Sequence, residues 1–133
     1  MKYTLEQRLE CARSLHRNGY NCAQCVLMVF DDITALPEAT AVSITSAMGL
    51  GMAGQRLTCG TMSATAIIKG IIDFKTPKDK PAIYRSTSEW MDEFRQKNGS
   101  ILCGELLTRS DRKPCINYIE DAITIIDNHL RNA

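Results

Sequence analysis

The chain has 133 residues, of which 44% are hydrophobic and 23% charged, a composition ordinary for one globular domain. The net charge is only +1, with acidic and basic residues interspersed, so nothing indicates a surface for nucleic acid or an anionic membrane. Residues 1–6 lack the apolar run of a signal peptide, and no stretch approaches membrane-spanning length. We therefore expect one domain over residues 1–133, located in the cytoplasm, with no nucleic-acid partner and no membrane insertion.

Apolar residues recur at helical spacing along the whole chain, and no alternating strand pattern is present. Thr4 and Gln7 form a predicted capping box at the first helix, and Asn21 with Gln24 forms a similar one at the second. The first four predicted helices cover residues 4–18, a segment that begins after its cap at Asn21, residues 38–48 and residues 59–72. The last three are a helix that Pro81 opens and residues 98–99 end, a helix over residues 101–107, and a helix from Pro114 to the C-terminus. Residues 31–36 and 74–80 are predicted connections. The sequence thus predicts an all-α fold, a single compact domain of about six or seven short helices.

A glycine-rich stretch from Gly49 to Gly60 leads into a cysteine and a helix. Three glycines within residues 49–54 favour a shaped loop over a flexible spacer. Thr58 is a predicted N-cap, which places Cys59 in the first turn of the helix. Small residues dominate positions 60–66, and they allow close approach of either a neighbouring helix or a cofactor. The residues alone do not separate these two alternatives.

Six cysteines are more than a cytosolic core of this size normally needs, and thiols in that compartment are mostly kept reduced. The excess therefore indicates redox or metal chemistry. Four of them fall in the first turn of a predicted helix, namely Cys22, Cys59, Cys103 and Cys115. Unpaired amides and the helix dipole at such positions favour thiolates, which predicts lowered pKa values, good nucleophiles and good ligands for a soft metal.

The other two cysteines differ in their surroundings. Cys11 lies inside the first helix and is predicted to be a small core or boundary residue. Cys25 follows Cys22 in a CxxC, which is typical of a redox pair or half a zinc site and also arises by coincidence. No strand precedes this CxxC, so a thioredoxin-like arrangement is not favoured.

Four separated segments carry a family resemblance: Gly-Tyr-Asn-Cys-Ala-Gln at 19–24, the approach to Cys59 at 49–60, Asn-Gly-Ser-Ile-Leu-Cys-Gly-Glu-Leu-Leu at 98–107, and Lys-Pro-Cys at 113–115. In these the chain resembles the C_GCAxxG_C_C family of small redox-active proteins, which is defined by four cysteines and a central C-G-A-x-x-G motif. The central motif departs at Thr61, where the family has alanine, and at Ala64, where it has glycine. The resemblance implies a redox role and supplies no substrate.

We expect the four cysteines to converge beside the 49–60 loop as the catalytic residues of a redox-active protein. In one form they exchange thiols and disulfides; in another, Cys22, Cys59, Cys103 and Cys115 are metal ligands of an iron–sulfur cluster, with Gly60 beside the cofactor. A zinc site lacks the usual paired CxxC spacing. The alternative is a non-catalytic helical interaction or metal-binding module with buried cysteines. A redox partner protein is expected, and the apolar stripe of the fifth or last helix could serve a homodimer.

Overall fold

The computed structural model describes residues 1–133 and confirms the all-α fold, with eight α-helices and no strands. The helices are α1 (Leu5–Arg17), α2 (Cys22–Met28), α3 (Asp31–Thr34), α4 (Glu38–Ile44), α5 (Gly60–Asp73), α6 (Lys80–Asn98), α7 (Cys103–Thr108) and α8 (Cys115–Arg131). The additional helix is α3, a single turn within the predicted connection at 31–36. It ends at Ala35, whose left-handed backbone (φ 57°) cannot continue a helix.

The first two helices begin as their sequences predict. The side chains of Thr4 and Asn21 accept hydrogen bonds from the backbone amides of Gln7 and Gln24, and each glutamine side chain accepts one from the backbone amide of its cap residue. Asn21 also donates to the carbonyls of Thr45 and Ser46, at 3.1 and 3.2 Å. This side chain therefore caps α2 and ties the chain after α4 to its start.

The core forms where α2 packs against α5 and α8, with α1 and α6 also packed on α8. The apolar stripes of α6 and α8 lie inside it, with Trp90, Phe94, Ile119, Ile123 and Ile126 all buried. These two stripes, considered above for a homodimer, thus pack within the chain itself. None of the helices combines the length and the apolar character needed to cross a membrane.

The two remaining cysteines differ in exposure. Cys11 is exposed on α1, so the prediction of a core or boundary position was wrong; the apolar stripe of this helix turns Ala12 inward instead. Cys25 is completely buried, and its thiol donates to the carbonyl of Tyr20 at 3.7 Å. Burial raises its pKa to about 12, so this thiol stays protonated at neutral pH.

Candidate functional site: a cavity lined by four cysteines

Four cysteines from four helices line one cavity of about 30 Å³, which we call the sulfur cavity. Its wall consists of Cys22, Cys59, Cys103 and Cys115, with Gly60, Thr61, Leu50, Leu106, Leu107 and Tyr118. Cys22, Cys103 and Cys115 are the first residues of α2, α7 and α8, and Cys59 directly precedes α5. Neither Cys11 nor Cys25 contributes to this wall.

Two chain segments are joined by hydrogen bonds at the cavity. The amide of Cys59 donates to Ile101 O (2.8 Å), and the amide of Cys103 donates to Leu57 O (2.7 Å), on either side of an antiparallel bridge between Thr58 and Leu102. Because this bridge holds Thr58 in extended backbone, the cap position of α5 falls on Cys59, and the predicted Thr58 cap was one residue early. The bridge fixes Cys59 and Cys103 side by side.

The 49–57 loop is tightly shaped, as its glycines predict. Positive φ angles occur at Leu50, Gly51, Met52, Ala53, Gly54 and Arg56. A Cβ added at Gly51 would lie 2.5 Å from the backbone nitrogen of Leu57 and 2.7 Å from Cβ of Cys103. The missing side chain at Gly51 therefore lets the loop close directly over Cys103.

Gly60 has a specific steric role beside Cys22. A Cβ at this position would lie 2.5 Å from Sγ of Cys22 and 2.9 Å from the carbonyl oxygen of Met48. The space that a side chain would occupy thus holds the Cys22 sulfur, and no cofactor has room there in this structure. Ala64, one turn further along α5, is fully buried in the core. Of the two alternatives for the small residues, close packing is the one this arrangement favours.

Cys59 and Cys22 shift each other's pKa in opposite directions. The interaction with Cys22 is the largest cause lowering the pKa of Cys59 to about 6; it outweighs burial, and Thr61 Oγ1 and the amides of Thr61 and Met62 add to it. The same interaction, together with burial, raises the pKa of Cys22 well above that of a free thiol. These directions assign the thiolate of the pair to Cys59 and the proton to Cys22.

Cys115 has a raised pKa, because burial and the negative charges of Cys59 and Cys103 outweigh the positive charges of Arg112 and Arg56. The expectation that a helix start lowers the pKa of each cysteine was thus wrong for Cys22 and Cys115. Desolvation and a neighbouring thiolate are the larger effects at these two positions. Cys103 has a positively charged neighbour, because Nη1 of Arg56 lies 3.9 Å from its Sγ.

The sulfur cavity does not fit a metal centre in this structure. No set of three or more His, Cys, Asp or Glu side chains in the molecule is arranged to hold a metal ion. The space beside Gly60, where a cofactor was expected, is filled by Sγ of Cys22. The ligand set expected from the four cysteines is therefore not formed here, and we derive no step through a cluster.

Two residues at the cavity were not singled out as functional from the sequence. The hydroxyl of Thr61 lies 3.0 Å from Sγ of Cys59, and its position was marked only as a departure from the central motif. Arg56 reaches Cys103 across 47 residues of sequence, a contact that no local pattern indicates. Thr61 could have been found by asking what a hydroxyl two residues after a cysteine can reach.

Comparison with known proteins gives one family match. The model of a family described as "Putative redox-active protein (C_GCAxxG_C_C)" matches residues 20–129. The matched range includes every cysteine of the sulfur cavity and excludes Cys11. No curated protein and no solved structure matches the chain significantly.

Proposed function

This chain belongs to the C_GCAxxG_C_C family of redox-active proteins, and we propose that it is a thiol–disulfide oxidoreductase in which Cys59 and Cys22 form the reacting pair. The observation that carries the proposal is the placement of the two thiols: Sγ of Cys22 fills the space beside Gly60, the residue next to Cys59, and both cysteines line the sulfur cavity. The lowered pKa of Cys59 supports its assignment as the nucleophile. The nucleophile in disulfide exchange is a thiolate, and its optimal pKa lies near the ambient pH. Cys59 meets both requirements.

The reaction proceeds in two exchange steps. The Cys59 thiolate attacks one sulfur of a substrate disulfide, RSSR, which forms a mixed disulfide and releases RS⁻. Cys22 then loses its proton and attacks the Cys59 sulfur, forming the Cys22–Cys59 disulfide and releasing the second RS⁻. Two electrons pass from the protein to RSSR, and the single proton of the Cys22–Cys59 pair passes to one of the released thiolates, so that the products are one RSH and one RS⁻.

Cys103 and Cys115 are the second pair of thiols in this proposal. Both lie on the wall of the cavity, and Cys115 is close enough for its pKa to feel the charges of Cys59 and Cys103. Cys115 is only half-buried, whereas Cys59 is 7% exposed. Exchange from Cys59 to these sulfurs would carry the disulfide towards solvent and towards a redox partner.

The test is oxidation of the reduced protein by hydroxyethyl disulfide, a small neutral disulfide, with the bonded cysteines identified by mass spectrometry. We expect a Cys22–Cys59 disulfide in the natural sequence and none in Cys59→Ser. Cys22→Ser should accumulate a mixed disulfide on Cys59, because serine keeps a hydrogen-bond donor beside the thiolate and cannot resolve the intermediate.

Cys11→Ser is the matched control, because Cys11 is exposed and does not line the cavity. It should form the Cys22–Cys59 disulfide at the rate of the natural sequence. Thiols that stay reduced across redox buffers would refute the proposal and leave a helical interaction module with buried cysteines. If the remaining cysteines of the cavity are oxidised as fast in Cys59→Ser as in the natural sequence, the assignment of Cys59 as the nucleophile is refuted.

A further inference from the structure

Two guanidinium groups without carboxylate partners lie beside the sulfur cavity. Nη1 of Arg56 is 3.9 Å from Sγ of Cys103, and Nη1 of Arg112 donates to the carbonyl of Leu107, a wall residue, at 3.0 Å. Both side chains belong to exposed residues, and both charges act on Cys115. Arg56 and Arg112 thus place two positive charges without carboxylate partners beside the cavity.

The neighbouring charged groups are already paired. Arg109 forms an ion pair with Asp111 at 3.0 Å, and Lys113 pairs with Asp121 at 3.2 Å. The remaining acid nearby, Glu105, accepts a hydrogen bond from Ser100 at 2.5 Å. Neither Arg56 nor Arg112 has such a partner, so their charges are free to attract an anion from solution.

The backbone of Arg56 is fixed in a way that aims its side chain. Its amide donates to Leu50 O at 3.1 Å, and its carbonyl accepts from the amide of Gly104 at 3.2 Å. Its φ angle of 61° is unusual for a residue with a side chain. The backbone of Arg56 is strained but held by hydrogen bonds at both its amide and its carbonyl. These bonds fix the position from which its side chain reaches Cys103.

The burial of Cys59 limits what can react with it. Cys59 and Cys103 are each only 7% exposed, so a substrate must insert a sulfur atom into the cavity to reach them. A disulfide lying flush on a protein surface cannot reach that depth, whereas a flexible small disulfide can insert one sulfur. The rest of such a molecule would remain at the mouth, beside Arg56 and Arg112.

We propose that the substrate is a low-molecular-weight disulfide bearing carboxylates, whose sulfur enters the sulfur cavity while its carboxylates bind Arg56 and Arg112. This inference rests on the proposed function and names the substrate class of the same site. Guanidinium groups bind carboxylates through charge-assisted and often bidentate hydrogen bonds. The exchange is that written above, with the anionic disulfide as RSSR and two anionic thiols as products.

The experiment compares three probes: glutathione disulfide (anionic), hydroxyethyl disulfide (neutral) and cystamine (cationic). Each rate constant for oxidation of the reduced protein is divided by that of the same probe with dithiothreitol, which removes differences in intrinsic reactivity. We expect the normalised rate to be about tenfold higher for the anionic than for the neutral probe, and lowest for the cationic one. Added salt should reduce the ratio, because it screens exposed charges.

The double variant Arg56→Gln/Arg112→Gln should lower the anionic-to-neutral ratio to about one. Arg17→Gln/Arg85→Gln is the matched control, since it removes two exposed arginines on α1 and α6, away from the cavity wall; it should keep the ratio. An anionic preference that survives in the first variant, or is absent from the natural sequence at low salt, would overturn the inference. Failure of the neutral probe to form the Cys22–Cys59 disulfide would instead refute the proposed function.

Discussion

At the scale of single residues, the chemistry depends on where one proton lies between two sulfurs. The pKa of Cys59 is lowered by its interaction with Cys22 and by the Thr61 hydroxyl, whose Oγ1 lies 3.0 Å from Sγ of Cys59. The only hydrogen-bond partner of the buried Thr61 hydroxyl is this sulfur. Thr61 therefore acts on the reaction through Cys59, as a positioning residue.

Thr61→Ala restores the residue of the family motif and removes one donor to the thiolate. We expect the pKa of Cys59 to rise by about one, because a hydrogen bond to a charged group is worth about 1.5–3 kcal/mol and other donors remain. The measurement is the pH dependence of thiolate absorbance in the ultraviolet, with the other cavity cysteines replaced by serine in all samples. Thr61→Ser should keep the low pKa, and an unchanged pKa in Thr61→Ala would contradict the role of the hydroxyl.

At the scale of elements, the start of α5 is built around the absence of one side chain. Cys22 Sγ occupies the space next to Gly60, and this packing is what brings the start of α2 against the start of α5. A methyl group at Gly60 would meet the backbone carbonyl of Met48 as well, and backbone cannot move aside as a flexible side chain can. The distance between the two reacting sulfurs therefore depends on this glycine.

Gly60→Ala should displace Cys22 and slow formation of the Cys22–Cys59 disulfide. It should also destabilise the fold by about 1–3 kcal/mol, the usual cost of overpacking. Gly70→Ala lies in the same helix, with nothing within 4 Å of the added Cβ, and should be stabilising by about 0.5–1 kcal/mol. Both variants are compared by denaturant unfolding and by the rate of disulfide formation; equal rates would contradict the steric role of Gly60.

At the scale of the whole molecule, a buried ion-pair network joins the first helix to the last. Arg8, which is 1% exposed, donates to Asp32 at 2.7 Å and to Asp127 at 3.1 Å. Arg131 also pairs with Asp127, at 2.6 Å. The network thus connects α1, α3 and α8, and none of its residues lines the sulfur cavity.

The network predicts how stability responds to pH. Burial would raise the pKa of Asp32, but hydrogen bonds from Arg8 and the Lys2 amide outweigh it and hold the pKa below its usual range. A carboxyl group with a lowered pKa in the folded state stabilises the fold above its ordinary pKa, and this contribution is lost as the pH falls through the lowered value.

Arg8→Met should destabilise the protein by about 3–5 kcal/mol near neutral pH, because Asp32 is left buried without its guanidinium partner and Asp127 keeps only Arg131. The loss should shrink at about pH 4, where protonation neutralises the unpartnered Asp32. Arg13→Met is the control: Arg13 pairs with Glu120 at 2.7 Å but is 38% exposed, so its loss should cost less than about 1 kcal/mol. Urea unfolding at both pH values measures the effect, and a similar cost for the two variants would contradict it.

The sequence by itself determined the all-α fold, the caps of α1 and α2, and the positions of four cysteines at or next to helix starts. These features depend on local spacing: apolar residues at helical intervals and a capping side chain three residues from its partner. The family could also be recognised, because its four cysteine segments occur in order along the chain.

The tertiary structure alone decided which cysteines meet and which of them carries charge. Gly60 packs against Cys22 from a different helix, and Arg56 contacts Cys103 from a distant segment of the chain. No local sequence pattern specifies such contacts. Proton affinity was equally beyond local reasoning, because it depends on burial and on the neighbouring sulfur as much as on the helix start. The sequence places four thiols at helix ends, and only the packing of those ends makes Cys59 the thiolate and Cys22 its proton donor.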